Sequence, residues 1–101
     1  MIVYSITAII RSDIESQWTE WMKTRHIPDV IKTGYFVGFK FYKIITPQSS
    51  SGNATYEINY FCESSEKLND YLEKEAERLR KEHNDKFGSG ISVARSVLEE
   101  I

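Results

Sequence analysis

Few side chains in this sequence combine a reactive type with a telling position, and the two histidines, His26 and His83, come first. Imidazole is the side chain whose ordinary pKa lies near neutrality, so each is a natural group for moving a proton. His26 closes the run Trp18-x-x-Trp21-Met22-x-x-x-His26-Ile27-Pro28. Pro28 lacks an N–H and clashes with the carbonyl four residues back, which predicts a helix that kinks or ends near Arg25–Ile27, in two pieces, with freed carbonyls beside His26. There the helix dipole favours a proton on imidazole, making His26 a candidate general base or anion binder; the plainer role is a cap on those carbonyls. His83 falls on the apolar stripe of a later helix, where a half-buried, hydrogen-bonded core histidine is simpler than a ligand. Both histidines belong toward the C-terminal ends of helices that run side by side, so they can approach each other. Two imidazoles with no third carboxylate or thiolate fall short of a zinc site, and no metal is expected.

A second group is defined by strand alternation. Lys40 and Tyr42 share one face of a strand with Glu57 and Asn59 of the next, forming a candidate ligand-binding set in which Tyr42, like His26, is a candidate for catalytic proton transfer. The competing role is a cross-strand Lys40–Glu57 ion pair with ordinary interface hydrogen bonds. Cys62 lies just before a helix start whose amides can lower a thiol pKa, yet both histidines belong at the opposite helix ends. A buried structural thiol is expected. Trp18 and Trp21, three apart beside Met22, read as core. No Gly-rich phosphate loop, serine elbow, HExxH or CxxC motif occurs, and no cofactor is implied.

The frame that must position these residues is small. The chain has 101 residues, 41% hydrophobic, which suits one domain spanning 1–101. Thirteen Lys and Arg against fifteen Asp and Glu give a net charge of −2, without the basic excess of a nucleic-acid or polybasic membrane-surface protein. The segment from Glu73 to Glu82 mixes both signs and reads as a solvated helix face. One cysteine, an N-terminus without a basic flank, and no apolar run near the roughly 20 residues that span a bilayer lead to the expectation of a soluble cytoplasmic protein.

Ile2–Ile10 alternates as a strand. Ser12 and Glu15 offer a capping box for a helix whose stripe is Ile14, Trp18, Trp21 and Met22, broken near Arg25–Ile27 and continued briefly to Gly34. Tyr35–Ile45 reads as a long strand, Thr46–Asn53 as a polar loop and Ala54–Cys62 as the strand that pairs back. Ser64 caps a helix with stripe Leu68, Tyr71, Leu72, Ala76, Leu79, His83 and Phe87, and Ile91–Glu99 is a final strand. The order β-α-β-β-α-β predicts an α+β, ferredoxin-like two-layer sandwich with antiparallel sheet order 4-1-3-2 and both helices on one face. The uncovered face would carry Phe36, Tyr42, Phe61, Ile9 and Val3 beside Lys40, Glu57 and Asn59. That is too apolar for a monomer and too polar for an ordinary core, so the expectation is a homodimer paired through the open sheet face, as a dimeric α/β barrel. Arg95 shares its side of the last strand with Ile91, Val93 and Val97, and the pattern leaves that side unassigned.

The Trp18–Phe36 block Trp-x-x-Trp-Met-x-x-x-His-Ile-Pro-x-Val-x-x-x-Gly-Tyr-Phe, the segment from Tyr71-Leu72 through Leu79-Arg80-x-Glu82-His83 to Phe87-Gly88, and the Arg95 strand resemble an uncharacterised bacterial family. It is a domain-of-unknown-function family of the dimeric α/β-barrel, ferredoxin-like type. The resemblance covers nearly the whole chain and implies a cytosolic homodimer without established activity. More distantly, His26-x-Pro28 followed by Gly34-Tyr35 is similar to antibiotic-biosynthesis monooxygenases, muconolactone-isomerase-like proteins and stress-responsive barrels. Those proteins bind small molecules in a sheet-lined cavity, and some carry out cofactor-independent chemistry or haem breakdown. Three functions are therefore in play: a homodimeric module that holds a small molecule, a cofactor-independent monooxygenase- or isomerase-like enzyme using His26 or Tyr42, and a protein-interaction module docking through a sheet edge or the Ser-rich loop.

Overall fold

A computed structural model describes residues 1–48 and 52–101; the centre of the expected loop Thr46–Asn53 lies outside the described residues. Strand β1 (Ile2–Ile10) is flanked antiparallel by β3 (Ala54–Cys62) and β4 (Ile91–Glu99), and β2 (Gly38–Lys43) pairs outside β3, giving the order β2-β3-β1-β4. This is the expected ferredoxin-like sheet. Strand alternation sorts the two central strands cleanly, because Ile2, Tyr4, Ala8 and Ile10 lie opposite Cys62, Tyr60, Tyr56 and Ala54 and all eight are buried. The helices cover that face alone. Cys62 is buried, its thiol donating to the Tyr35 carbonyl at 3.2 Å, as a structural thiol would.

The helical layer departs from expectation in three places. Ser12–Ile14 forms a short 3-10 turn without a side-chain cap, and Glu15 does not close a capping box. Its carboxylate instead accepts from the Tyr56 hydroxyl at 2.6 Å and pairs with Lys43 at 2.8 Å, so a tie to the sheet replaces a local cap. The chain also does not break at Pro28. Helix α1 (Glu15–Trp21) passes through a π turn (Met22–His26) into α2 (Ile27–Lys32), with the Ile27 N–H donating to the carbonyl of Met22, five residues back. One wide turn leaves room for a proline in the first turn of α2, where its missing N–H costs little. The second expected helix is divided at Glu75 (φ −124°, ψ −35°) into α3 (Ser65–Lys74) and α4 (Ala76–Phe87), each burying its own pair, Leu68 with Tyr71 and Ala76 with Leu79. The Ser64 hydroxyl caps α3 as expected, accepting from the Lys67 N–H at 3.2 Å.

Strand β2 is shorter than the expected Tyr35–Ile45, and this moves one key ring. After Gly34, which ends α2 in the left-handed region at φ +85°, residues 35–37 bend before pairing begins. Unconstrained by the pleat, Phe36 turns to the helix side, its ring 4.8 Å from Tyr71 and 5.2 Å from Tyr60. Phe36 is therefore a core residue, and its expected place on the open face is corrected. Phe61 remains on that face with Val3, Ile9, Lys40, Tyr42, Glu57 and Asn59. Arg95 is also settled: it lies opposite Ile6, so it leaves β4 on the helix side.

The two phenylalanines should respond differently to truncation. Phe36→Ala is expected to cost about 3–5 kcal/mol in urea unfolding, as for a buried aromatic ring, and Phe61→Ala less than about half of that in a dilute monomer. Equal losses would contradict their placement on opposite faces.

Candidate functional site

Between the helix-facing side of the sheet and the helices lies a cavity of about 40 Å³, measured as space open to the centres of water-sized spheres. The space admits a small group. Its floor is fully buried: Ile58 and Tyr60 from β3, Trp18 from α1, Val30 from α2 and Leu79 from α4. Its rim is more open and consists of Arg80 and His83 from α4 with Val93 and Arg95 from β4. This space lies within one protomer, on the opposite side of the sheet from the open face that carries Lys40, Tyr42, Glu57 and Asn59.

The four residues expected to hold a ligand stay together on the open face. Tyr42 lies opposite Glu57 and Lys40 opposite Asn59, and the Asn59 amide donates to Glu57 at 3.1 Å. Lys40 and Tyr42 are exposed, and none of the four lines the cavity. The competing Lys40–Glu57 ion pair is not formed among the described residues, since the two are diagonal neighbours.

Both histidines line the cavity, and they meet as the topology allowed, with ring centroids 5.7 Å apart. Trp21 stacks on His26 at 5.4 Å and contacts His83 at 5.8 Å. The Trp18 indole N–H donates to His83 Nε2 at 2.9 Å. Because indole nitrogen can only donate, His83 Nε2 must carry a free lone pair, which makes the ring neutral with its proton on Nδ1, toward Asn84 Oδ1 at 3.4 Å. Its pKa is accordingly depressed, by burial first, with the Asn84 contact opposing and Arg95 reinforcing.

His26 is not a C-terminal cap. The π turn carries the chain on into α2, and the His26 Nδ1 is buried without a hydrogen-bond partner. Burial, then the neighbouring His83, pushes its pKa down to about 4, with Asp29 opposing and Arg95 adding to the depression. A neutral His26 at pH 7 is a hydrogen-bonding group and a weak base. Among the described residues no cluster of three or more His, Cys, Asp or Glu is placed to hold a metal ion.

The structure adds residues that the pattern reading passed over. Tyr60 is 1% exposed, its hydroxyl has no protein partner, and burial holds its pKa well above the phenolic range, with Tyr71 and Tyr4 adding to the shift. Tyr4 accepts from an Arg80 N–H at 2.6 Å. The available signal was a hydroxyl-bearing ring recurring on a strand face otherwise read as apolar, since every buried hydroxyl demands a partner.

Residues 1–101 match the family described as Domain of unknown function (DUF4286). The chain belongs to the DUF4286 family. This DUF4286 chain is similar in structure to an ethyl tert-butyl ether d (EthD) family protein from Bacillus halodurans, at 16% identity and TM-score 0.73 with all of both chains covered. It also resembles a dimeric ferredoxin-like protein from an uncultured marine organism, at 10% identity and TM-score 0.72, covering 100% of this chain and 95% of that one. A dimeric ferredoxin-like protein of unknown function from Jannaschia is similar at 12% identity and TM-score 0.60, covering 99% and 100%. No curated protein matches the DUF4286 chain significantly. At these identities the likeness establishes the ferredoxin-like fold. No helix among the described residues is long and apolar enough to cross a membrane.

The buried imidazole makes stability depend on pH. Unfolded His26 titrates near 6.5 and folded His26 near 4, so between those values the unfolded chain binds more protons. Stability should be full above pH 6.5 and fall as pH drops toward 4, by up to about 3 kcal/mol from His26. Thermal melts between about pH 7 and 5.5 isolate this limb from the carboxylates, whose pKa values lie lower. His83, whose pKa burial also depresses, adds to the slope in the same direction, so His26→Leu should reduce the slope without abolishing it, and an unchanged slope would remove His26 as a cause.

Proposed function

We propose that this protein is a homodimeric small-molecule-binding protein, cytoplasmic in keeping with its lone buried thiol, in which each protomer holds its ligand in the cavity between sheet and helices. The observation that carries this reading is the pair of buried polar atoms, His26 Nδ1 and the Tyr60 hydroxyl, that lack protein partners in two residues lining one cavity. Leaving such an atom unpaired costs about 1–3 kcal/mol, which a ligand carrying a hydrogen-bonding group on a flat apolar body would recover. The aromatic walls suit such a body. A cofactor-independent enzyme of the monooxygenase or isomerase kind is less well supported, because a histidine with a pKa of about 4 is a poor proton acceptor at neutrality.

Self-association rests on the other face. Ile9, Tyr42 and Leu98 are 40%, 46% and 49% exposed there, and Asn59 Oδ1 is buried without a partner. Two structural neighbours are described as dimeric, which supports self-association, and the exposed apolar residues here make this face the one proposed to pair. Phe61→Asp should therefore give a folded monomer in sedimentation, and an unaltered dimer would place the interface elsewhere.

The ligand site is tested with benzamide, followed through the Trp18 indole N–H resonance. Benzamide should shift that signal saturably, and Val93→Phe, which fills the rim, should abolish the shift. Tyr60→Phe should weaken binding at least about fivefold while leaving the ligand-free melting temperature unchanged or higher, because it deletes a buried hydroxyl that has no partner. A lowered melting temperature with unchanged affinity would make that hydroxyl structural, and no saturable shift would sink the cavity reading.

A further inference from the structure

The charges that line the cavity are of one sign, with Asp29 and Glu75 acting on His26 and Tyr71 from behind the walls. The lining includes two arginines, Arg80 and Arg95, and no Asp or Glu, although acidic residues outnumber basic ones in the chain by 15 to 13. Neither guanidinium lies in an ion pair with a described carboxylate, whereas Arg11 and Arg78 pair with Asp13 and Glu75 at 2.7 and 3.1 Å. Arg80 gives one N–H to the neutral Tyr4 hydroxyl and keeps its remaining donors. Arg95 stands between Val93 and Val97 on the side of β4 that pleat alternation points at the helix layer, a side whose one carboxylate, Glu99, lies at the far end of the strand and does not line the cavity. An inward charge on an edge strand can serve to block edge-to-edge pairing. That role calls for neither a second arginine nor an acid-free rim.

Resting on the cavity reading above, we propose that the occupant is an aromatic carboxylate, its ring seated against Ile6, Ile58 and Trp18 and its anion held at the rim by Arg95 and Arg80. The planar guanidinium fork matches a carboxylate through two parallel N–H bonds, and beside apolar walls such charge-assisted bonds are stronger than in open water. The neutral imidazoles of His26 and His83 add no competing charge and bound the space as aromatic surface. Tyr60, at the buried end, offers its hydroxyl to a second polar substituent on the ring. Arg95 thus becomes the specificity-determining residue: it selects a charge that the neutral floor does not read.

The experiment compares benzoate with its neutral isostere benzamide on the intact protein at neutral pH, by titration of the Trp18 indole signal. Benzoate is expected to bind about tenfold more tightly or better, and Arg95→Met should reduce that preference below about threefold while leaving benzamide affinity in place. Arg95→Lys should restore part of it, since an ammonium supplies charge without the fork. Should Arg95→Met fail to fold, the wild type still decides: raising salt from about 20 to about 300 mM must weaken benzoate and leave benzamide unaffected. Equal affinities for the two probes, or no salt dependence, would overturn the carboxylate proposal and leave the cavity reading standing. If neither probe binds the wild type, both fall together.

Discussion

A one-residue slip between β1 and β3 would exchange every side chain between the two faces of the sheet, and the rest of the molecule depends on that slip not occurring. The register that sets Tyr4 opposite Tyr60 and Ile6 opposite Ile58 places a continuous aromatic and aliphatic surface under the helices. The same register sends Val3, Asn59 and Glu57 to the other side. It is strongly specified, because burying Asn59 and Glu57 under helices while exposing Ile58 and Tyr60 would carry desolvation costs on one face and lose apolar burial on the other. Core, cavity and open face are three consequences of one pairing.

Large rings dominate the walls of the cavity. Tyr4, Phe36, Tyr60 and Tyr71 contact one another at centroid distances from 4.8 to 6.4 Å, mostly tilted or edge-on. On its other side Trp18, Trp21, His26 and His83 form a second aromatic group. The π turn matters here, since inserting one extra residue before Pro28 places His26 against Trp21 and His83 instead of at a helix end. A proline that looked like a terminator acts as a constraint on helical register. The histidine beside it changes role accordingly, from a charged cap to a neutral wall.

Each half of the site was visible to a different degree. The pairing of His26 with His83 followed from stripe positions and topology, and the grouping of Lys40, Tyr42, Glu57 and Asn59 on one face followed from strand alternation; both are found. What the pattern did not show is that one protomer by itself encloses a space, on the opposite side of the sheet from those four. Pleat alternation sorts residues into two faces, but volume left between layers depends on how bulky rings meet, which is a property of three elements at once. Phe36 was misplaced for a related reason: alternation was extended through Tyr35 and Phe36, which precede the first backbone bond to β3, from the Val37 N–H to the Phe61 carbonyl.

Period-two and period-three-to-four patterns, with Ser64 as a cap, by themselves determined the element order, the ferredoxin-like topology, the helix-covered face and its opposite. These are local properties, decided by where Cβ points along a strand or helix. Tertiary structure alone decided the side taken by Arg95, the neutral tautomer of His83, the unpartnered hydroxyl of Tyr60 and the diversion of Glu15 from a cap to Tyr56 and Lys43. Each of these depends on hydrogen bonds or burial between residues tens of positions apart, and neither is encoded in any window of neighbouring residues.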